Sequence, residues 1–75
     1  MDVHAIEALL KAEFTDCELE LNAEGNKLGL IIVSSDFEGL NRVKRQQLVY
    51  SKLNDKIQSG EIHAVSMRTL TPEEK

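Results

Sequence analysis

The chain has 75 residues, 41% of them hydrophobic, with a formal net charge of −4 and a single cysteine. So short a chain makes one small domain, which we place over residues 1–75, and it leaves no room for a separate catalytic domain. The net negative charge argues against a general polyanion-binding protein, and one cysteine cannot form a disulfide within the chain.

The compartment is predicted from three features of the sequence. No apolar run approaches the roughly 20 residues that a membrane span needs. The first residues are acidic rather than basic, so no secretory signal is predicted. A lone cysteine suits a reducing environment. We therefore expect a cytoplasmic protein without a membrane partner.

The first predicted element is a helix over residues 3–13. Asp2 is of the residue type that caps helix starts. His4, in the first turn, is interpreted as a solvated surface histidine. Apolar residues recur at the spacing of one helix face, namely Val3, Ile6, Leu9, Leu10 and Phe14.

Residues 17–23 alternate strictly between apolar and polar side chains, which is typical of a half-buried strand. Cys17 falls on the apolar face and is interpreted as a small core residue. No basic neighbour in the sequence would lower the pKa of its thiol, so a reactive or ligating role is not predicted.

The next segment predicts a hairpin. Residues 24–27 form a turn in which Gly25 and Asn26 can both take positive φ. Residues 28–33 are nearly all apolar, which indicates a second strand that is covered on both sides or central in its sheet.

The longest predicted helix follows the second strand. A single helical turn fits at residues 36–38. Asn41 is the next N-cap, and the helix is predicted to run to about residue 58, with Gly60 as C-cap. A short turn before a long helix has the shape of a helix-turn-helix element. The predicted apolar stripe of this helix is Val43, Val49, Tyr50, Leu53 and Ile57.

Residues 61–70 predict a third strand, although its alternation does not show which face is buried. Thr71 and Glu74 then stand as N-cap and N3 of a helix of at most one turn. The element order is αββ(α)αβ, an α+β fold. A helical connection between the second and third strands predicts that they are parallel and that the crossover is right-handed. The result is a three-stranded mixed sheet with helices on one face.

No motif for catalysis is present, neither a phosphate-binding loop nor a dinucleotide turn, so we expect neither an enzyme nor a small-molecule substrate. Arg42, Lys44 and Arg45 form a basic cluster that is either a solvated helix face or a phosphate-contacting patch. His63 is either a structural or solvated histidine or a metal ligand. No second ligand lies near it in sequence.

Three segments together resemble the BolA family, in particular its short bacterial branch known as IbaG or YrbA. They are residues 33–50, 62–67 and 71–74, and the resemblance covers essentially the whole chain. The most specific elements are Phe37-Glu38-Gly39-Leu40, Val49-Tyr50 and Ile62-His63-Ala64. The resemblance implies the family's αββααβ fold, which is related to the type II KH fold.

The resemblance also implies a function. Family members are non-enzymatic, stress-related partners of monothiol glutaredoxins, and the heterodimer can hold a [2Fe–2S] cluster. His63 matches the family's invariant histidine and would be a cluster ligand, with thiolates from the partner and glutathione. The short branch often has a histidine in the loop where this chain has Lys27, and a protonated lysine cannot ligate iron.

Transcriptional regulation is the second activity that the resemblance implies. KH domains clamp nucleic acid with a Gly-x-x-Gly loop, and the comparable turn here, Gly39 to Arg42, lacks the second glycine. A DNA-binding regulator would therefore use Arg42, Lys44 and Arg45 on the predicted helix. A third alternative is an interaction module that binds neither metal nor DNA.

Overall fold

The computed structural model describes all residues from 1 to 75 as two helices, one 3₁₀ turn and three strands. β1 is antiparallel to β2, and β3 is parallel to β2, so β2 is the central strand. The predicted α+β order and mixed sheet are confirmed. In chain order the elements are α1 (Val3–Glu13), β1 (Glu18–Glu24), β2 (Lys27–Val33), the 3₁₀ turn (Ser35–Phe37), α2 (Arg42–Gln58) and β3 (Ala64–Leu70).

The predicted helix starts are confirmed by their capping contacts. The Asp2 carboxylate accepts the Ala5 N–H at 3.1 Å, and the Asn41 side chain accepts the Lys44 N–H at 2.9 Å. These bonds satisfy backbone donors that the first helical turn leaves without an intrahelical partner. Gly60 lies one residue beyond the C-cap of α2 and supplies the left-handed conformation there, with φ +85°.

The hairpin turn differs from its prediction in one residue. Gly25 has φ +63°, but Asn26 does not have positive φ. Positive φ at only the first of two central residues is the pattern of a type II′ turn, which matches the twist of the flanking strands.

One face of the sheet packs against both helices, and the other is open. The structure settles the face of β3: Val65 and Met67 turn towards the helices, while Ala64, Ser66 and Arg68 are exposed. Neither helix has the length and apolar character of a membrane-spanning segment. The buried cluster between the layers is Ile6, Leu10, Phe14, Leu28, Leu30, Ile32, Phe37, Val49, Leu53 and Ile62.

Two expectations about burial are wrong. Val43 and Tyr50 were assigned to the apolar stripe of α2, yet they are 60% and 40% exposed. They lie seven residues apart on a face that misses the sheet, whereas Val49 and Leu53 lie one turn apart on the face that meets it. Of the two alternatives for the second strand, the central position is confirmed. The strand is not covered on both faces, since Ile31 on the open face is 38% exposed.

Candidate functional site

His63 lies immediately before β3, and its side chain is exposed. Its backbone N–H donates to the Asn26 carbonyl at 2.7 Å, which ties the residue to the turn between β1 and β2. Ile62 on one side of it is buried in the core, and Ala64 on the other side pairs with Lys27 of β2. The backbone of His63 is therefore fixed on both sides, while its imidazole remains open to solvent.

The end of α2 explains how the chain delivers His63 to this position. The positive φ of Gly60 reverses the chain after the helix. The Ile62 N–H then donates to the Lys56 carbonyl at 3.1 Å, and the Lys56 ammonium lies 3.8 Å from the Glu61 carboxylate. These contacts turn the chain back to the sheet and seat Ile62 in the core.

His63 has no complete set of metal ligands around it within this chain. No group of three or more histidine, cysteine, aspartate or glutamate side chains could hold a metal ion. Lys27, the first residue of β2, pairs with Ala64, the residue after His63. Its side chain is exposed, and its ammonium group has no lone pair to donate. The chain alone thus offers one imidazole ligand at this end of the sheet.

Cys17 lies before β1, at the far end of that strand from the hairpin turn. Its side chain packs against the core, as predicted, and burial raises the pKa of its thiol. A thiol held in its protonated form is a poor metal ligand and nucleophile. Both its position at the other end of β1 and its protonated thiol therefore argue against Cys17 as a second ligand beside His63.

The predicted basic cluster divides into two kinds of residue. Arg42 and Lys44 are exposed and make no ion pair. The Arg45 side chain is only 14% exposed; its Nε–H donates to the Leu40 carbonyl at 2.8 Å, and its guanidinium binds the Glu74 carboxylate at 2.6 and 3.2 Å. Two of the three predicted phosphate-contacting residues are thus free to bind an anion.

Glu74 is a residue whose role the sequence showed only in part. The Thr71–Glu74 capping contact forms, since the Glu74 carboxylate accepts the Thr71 N–H at 2.9 Å. The hydrogen bond from Arg45, followed by the one from Thr71, lowers the pKa of Glu74 from 4.5 to about 2. The capping pattern predicted the local bond, but no local signal identified Arg45, which is 29 residues away.

The comparisons with known proteins find relatives over nearly the whole chain. The family model described as "BolA-like protein" matches residues 12–74. An uncharacterized Acinetobacter guillouiae protein is 45% identical over 74 residues, covering 99% of this chain and 89% of that protein. The Escherichia coli acid stress protein IbaG is 35% identical over 74 residues, covering 99% of this chain and 88% of that protein.

Two further matches bear on fold and function. The solved structure of BolA1 from Arabidopsis thaliana superposes with a TM-score of 0.86 at 32% identity, covering 96% of this chain and 93% of that chain. The DNA-binding transcriptional regulator BolA of Haemophilus influenzae is 41% identical over 44 residues, which is 59% of this chain and 42% of that protein.

Proposed function

The chain belongs to the BolA-like family, and we propose that it is a non-enzymatic adaptor that pairs with a monothiol glutaredoxin and takes part in handling a [2Fe–2S] cluster. The observation that carries this proposal is His63. Its backbone is fixed by the Asn26 carbonyl and by the buried Ile62, while its imidazole is exposed at the surface. An exposed imidazole on a fixed backbone supports the proposal, because it can ligate a metal group that a second protein also holds.

The incomplete ligand set around His63 supports a shared site. One imidazole cannot hold an iron–sulfur cluster, which needs four ligands over its two irons. A partner cysteine and a glutathione thiol would supply two thiolates, which with His63 make three of those four ligands, so the heterodimer rather than this chain would bind the cluster. The fourth ligand would have to come from a group other than Lys27, which stands where the short branch often has a histidine. Lys27 pairs with Ala64, the residue that follows His63. Its positive charge would offset the negative charge of a thiolate-bound cluster.

Reconstitution tests this proposal. The protein is mixed with a monothiol glutaredoxin and glutathione, and iron and sulfide are added without oxygen. We expect a heterodimer whose visible absorption and circular dichroism differ from those of the glutaredoxin alone. His63→Ala should lose that difference. His4→Ala, which changes the other histidine of the chain, should behave like the unchanged protein.

Two results would count against the adaptor function. One is the absence of any heterodimer by sedimentation. The other is a heterodimer whose visible spectrum is the same with His63→Ala as without it. Loss of the spectrum with His4→Ala would move the ligand to α1 instead.

A second candidate function is DNA-binding regulation, and one observation favours it. Arg42 and Lys44 are exposed and unpaired at the start of α2, and one relative is named a DNA-binding transcriptional regulator. DNA affinity should then fall steeply with salt, and Lys44→Ala should lower the slope by about one unit per lost phosphate contact. Binding that is absent or independent of salt would exclude this function.

The relative named an acid stress protein adds a physiological context to both candidates. A role in the stress response is part of the proposal. It does not discriminate between a cluster-handling adaptor and a regulator, because either could act under stress. The reconstitution and DNA-binding experiments make that distinction.

A further inference from the structure

The face of α2 that misses the sheet carries an aromatic ring. The two phenylalanines of the chain, Phe14 and Phe37, are buried and pack against each other, whereas Tyr50 is 40% exposed. Aromatic side chains contribute large contact areas to interfaces when the core does not use them. Tyr50 is therefore the aromatic side chain through which this protein can stack on a planar group of a ligand.

The residues that line up with Tyr50 on α2 are uncharged. Val43 lies seven residues before it and Asn54 four residues after it, with Gln47 between, so the four share one side of the helix. All of them are exposed, Val43 by 60%. We call these four residues the Tyr50 stripe. Amide side chains donate to and accept from the edges of nucleobases, and an aromatic ring stacks on their faces. The Tyr50 stripe thus has both kinds of group that contact bases.

Positive charge is concentrated on the same helix. Five of the nine lysine and arginine residues of the chain lie on α2, and Asp55 is the only acid there. Arg42 and Lys44, the neighbours of Val43 in the sequence, are exposed and make no ion pair, so they can hold phosphates beside the Tyr50 stripe. The other three pair with carboxylates outside the helix, namely Arg45 with Glu74, Lys52 with Glu13 and Lys56 with Glu61.

We infer that the Tyr50 stripe binds single-stranded nucleic acid, with a base stacked on Tyr50 and phosphates held by Arg42 and Lys44. This inference rests on the second candidate function above and narrows its ligand to a single strand. In a duplex the base faces are stacked on one another, so the ring would have no base to stack on. A single strand uses the ring, the amides and the two cations together, whereas a protein interface built on two exposed apolar side chains would be small.

The chain carries its own reporter for this contact. Tyr50 is the only tyrosine and there is no tryptophan, so the tyrosine emission of the full chain comes from this ring alone. A base stacked on the ring quenches that emission. The probe is a single-stranded oligothymidylate of about 16 nucleotides at low salt. We expect quenching that saturates with this strand. An abasic strand of the same length, which keeps the phosphates and lacks the bases, should not quench.

The Kd for a labelled strand, measured by fluorescence anisotropy, separates the ring from the cations. Tyr50→Ala should weaken the Kd by about 5- to 140-fold and keep its salt dependence, because no phosphate contact is lost. Tyr50→Phe keeps a ring and should stay within about twofold of the unchanged protein. His4→Ala removes an exposed ring from α1 and should leave the Kd unchanged. Far-ultraviolet circular dichroism checks that each variant keeps the fold.

Three outcomes would overturn this inference. If neither the strand nor its duplex with oligoadenylate binds at low salt, the second candidate function fails and the inference fails with it. If the duplex binds at least as tightly as the strand, or the strand binds equally well after Tyr50→Ala, DNA binding stands but the Tyr50 stripe does not contact bases. If tyrosine emission responds to a monothiol glutaredoxin and not to the strand, the Tyr50 stripe docks a protein.

Discussion

The two ends of the sheet are held together in different ways. At the end where β2 and β3 finish, the Ser34 hydroxyl donates to the Thr15 carbonyl at 2.6 Å and accepts the Asp36 N–H at 3.1 Å. Arg45 and Glu74 add their ion pair there. We call this the bonded end. At the opposite end, which we call the histidine end, the only link from His63 is its backbone bond to Asn26.

The difference separates stability from recognition. Polar groups at the bonded end are satisfied within the chain, which stabilises the fold but leaves them unavailable to a partner. At the histidine end the backbone N–H of His63 donates to the Asn26 carbonyl, while its imidazole is exposed and makes no hydrogen bond within the chain. A ligand for a shared cluster has to be available in this way. The comparison predicts that substitutions at the bonded end change stability, and that replacing the His63 side chain while keeping its backbone N–H changes binding with little effect on stability.

The largest effect is expected from Phe37→Ala at the bonded end. Phe37 is fully buried, and its ring centroid lies 5.3 Å from that of Phe14. Removing the ring should cost about 3–5 kcal/mol of the free energy of unfolding, a large part of the roughly 5–15 kcal/mol that small domains have. Urea unfolding measures this. Tyr50→Ala, at an exposed aromatic residue, is the matched control and should cost less than about 1 kcal/mol. If Phe37→Ala lowered the free energy of unfolding by as little as Tyr50→Ala, Phe37 would not be a buried core residue that stabilises the bonded end.

The sequence predicted the features of this fold that depend on neighbouring residues. The caps of Asp2 and Asn41 were predictable because each capping bond spans only three residues in the sequence. The Thr71–Glu74 bond was predictable for the same reason. The resemblance to a known family identified His63. Its exposure could not be derived from spacing, since a strand-end residue is buried or exposed according to what packs beside it.

The remaining features depend on contacts between distant parts of the chain. The helical periodicity predicted Val43 and Tyr50 to lie on the buried apolar stripe of α2. The orientation of α2 on the sheet decides which stripe is buried, and both residues are exposed. The Arg45–Glu74 pair joins residues that only the complete fold brings together. The Asn26–His63 bond likewise depends on where β3 meets the hairpin.

The second prediction concerns pH at the bonded end. The pKa of Glu74 is lowered to about 2 by Arg45 and Thr71, so the folded state favours the carboxylate. A lowered pKa stabilises the fold fully above the ordinary value of 4.5, and this contribution is lost as the pH falls from 4.5 towards 2. Glu74→Gln should therefore lower the Tm at neutral pH, and the difference from the unchanged protein should shrink through that range.

Thermal unfolding followed by circular dichroism between neutral pH and about pH 2 checks this. Glu73→Gln removes an adjacent exposed carboxylate that makes no ion pair, and it should leave the Tm nearly unchanged. A Tm difference for Glu74→Gln that stays constant down to the acid limit would show that the Arg45–Glu74 pair does not stabilise the fold through its charge.

The smallest stability effect is expected at the histidine end. His63→Ala removes an exposed imidazole and keeps the N–H that donates to Asn26, so the free energy of unfolding should change by less than about 0.5 kcal/mol. His63→Pro removes that N–H instead and should cost about 1–3 kcal/mol, because it leaves the Asn26 carbonyl without its donor. Urea unfolding of the two variants therefore separates the backbone of His63 from its side chain. If His63→Ala lowered the free energy of unfolding by as much as about 1–3 kcal/mol, like His63→Pro, the imidazole itself would support the fold. The histidine end would then stabilise the fold as the bonded end does.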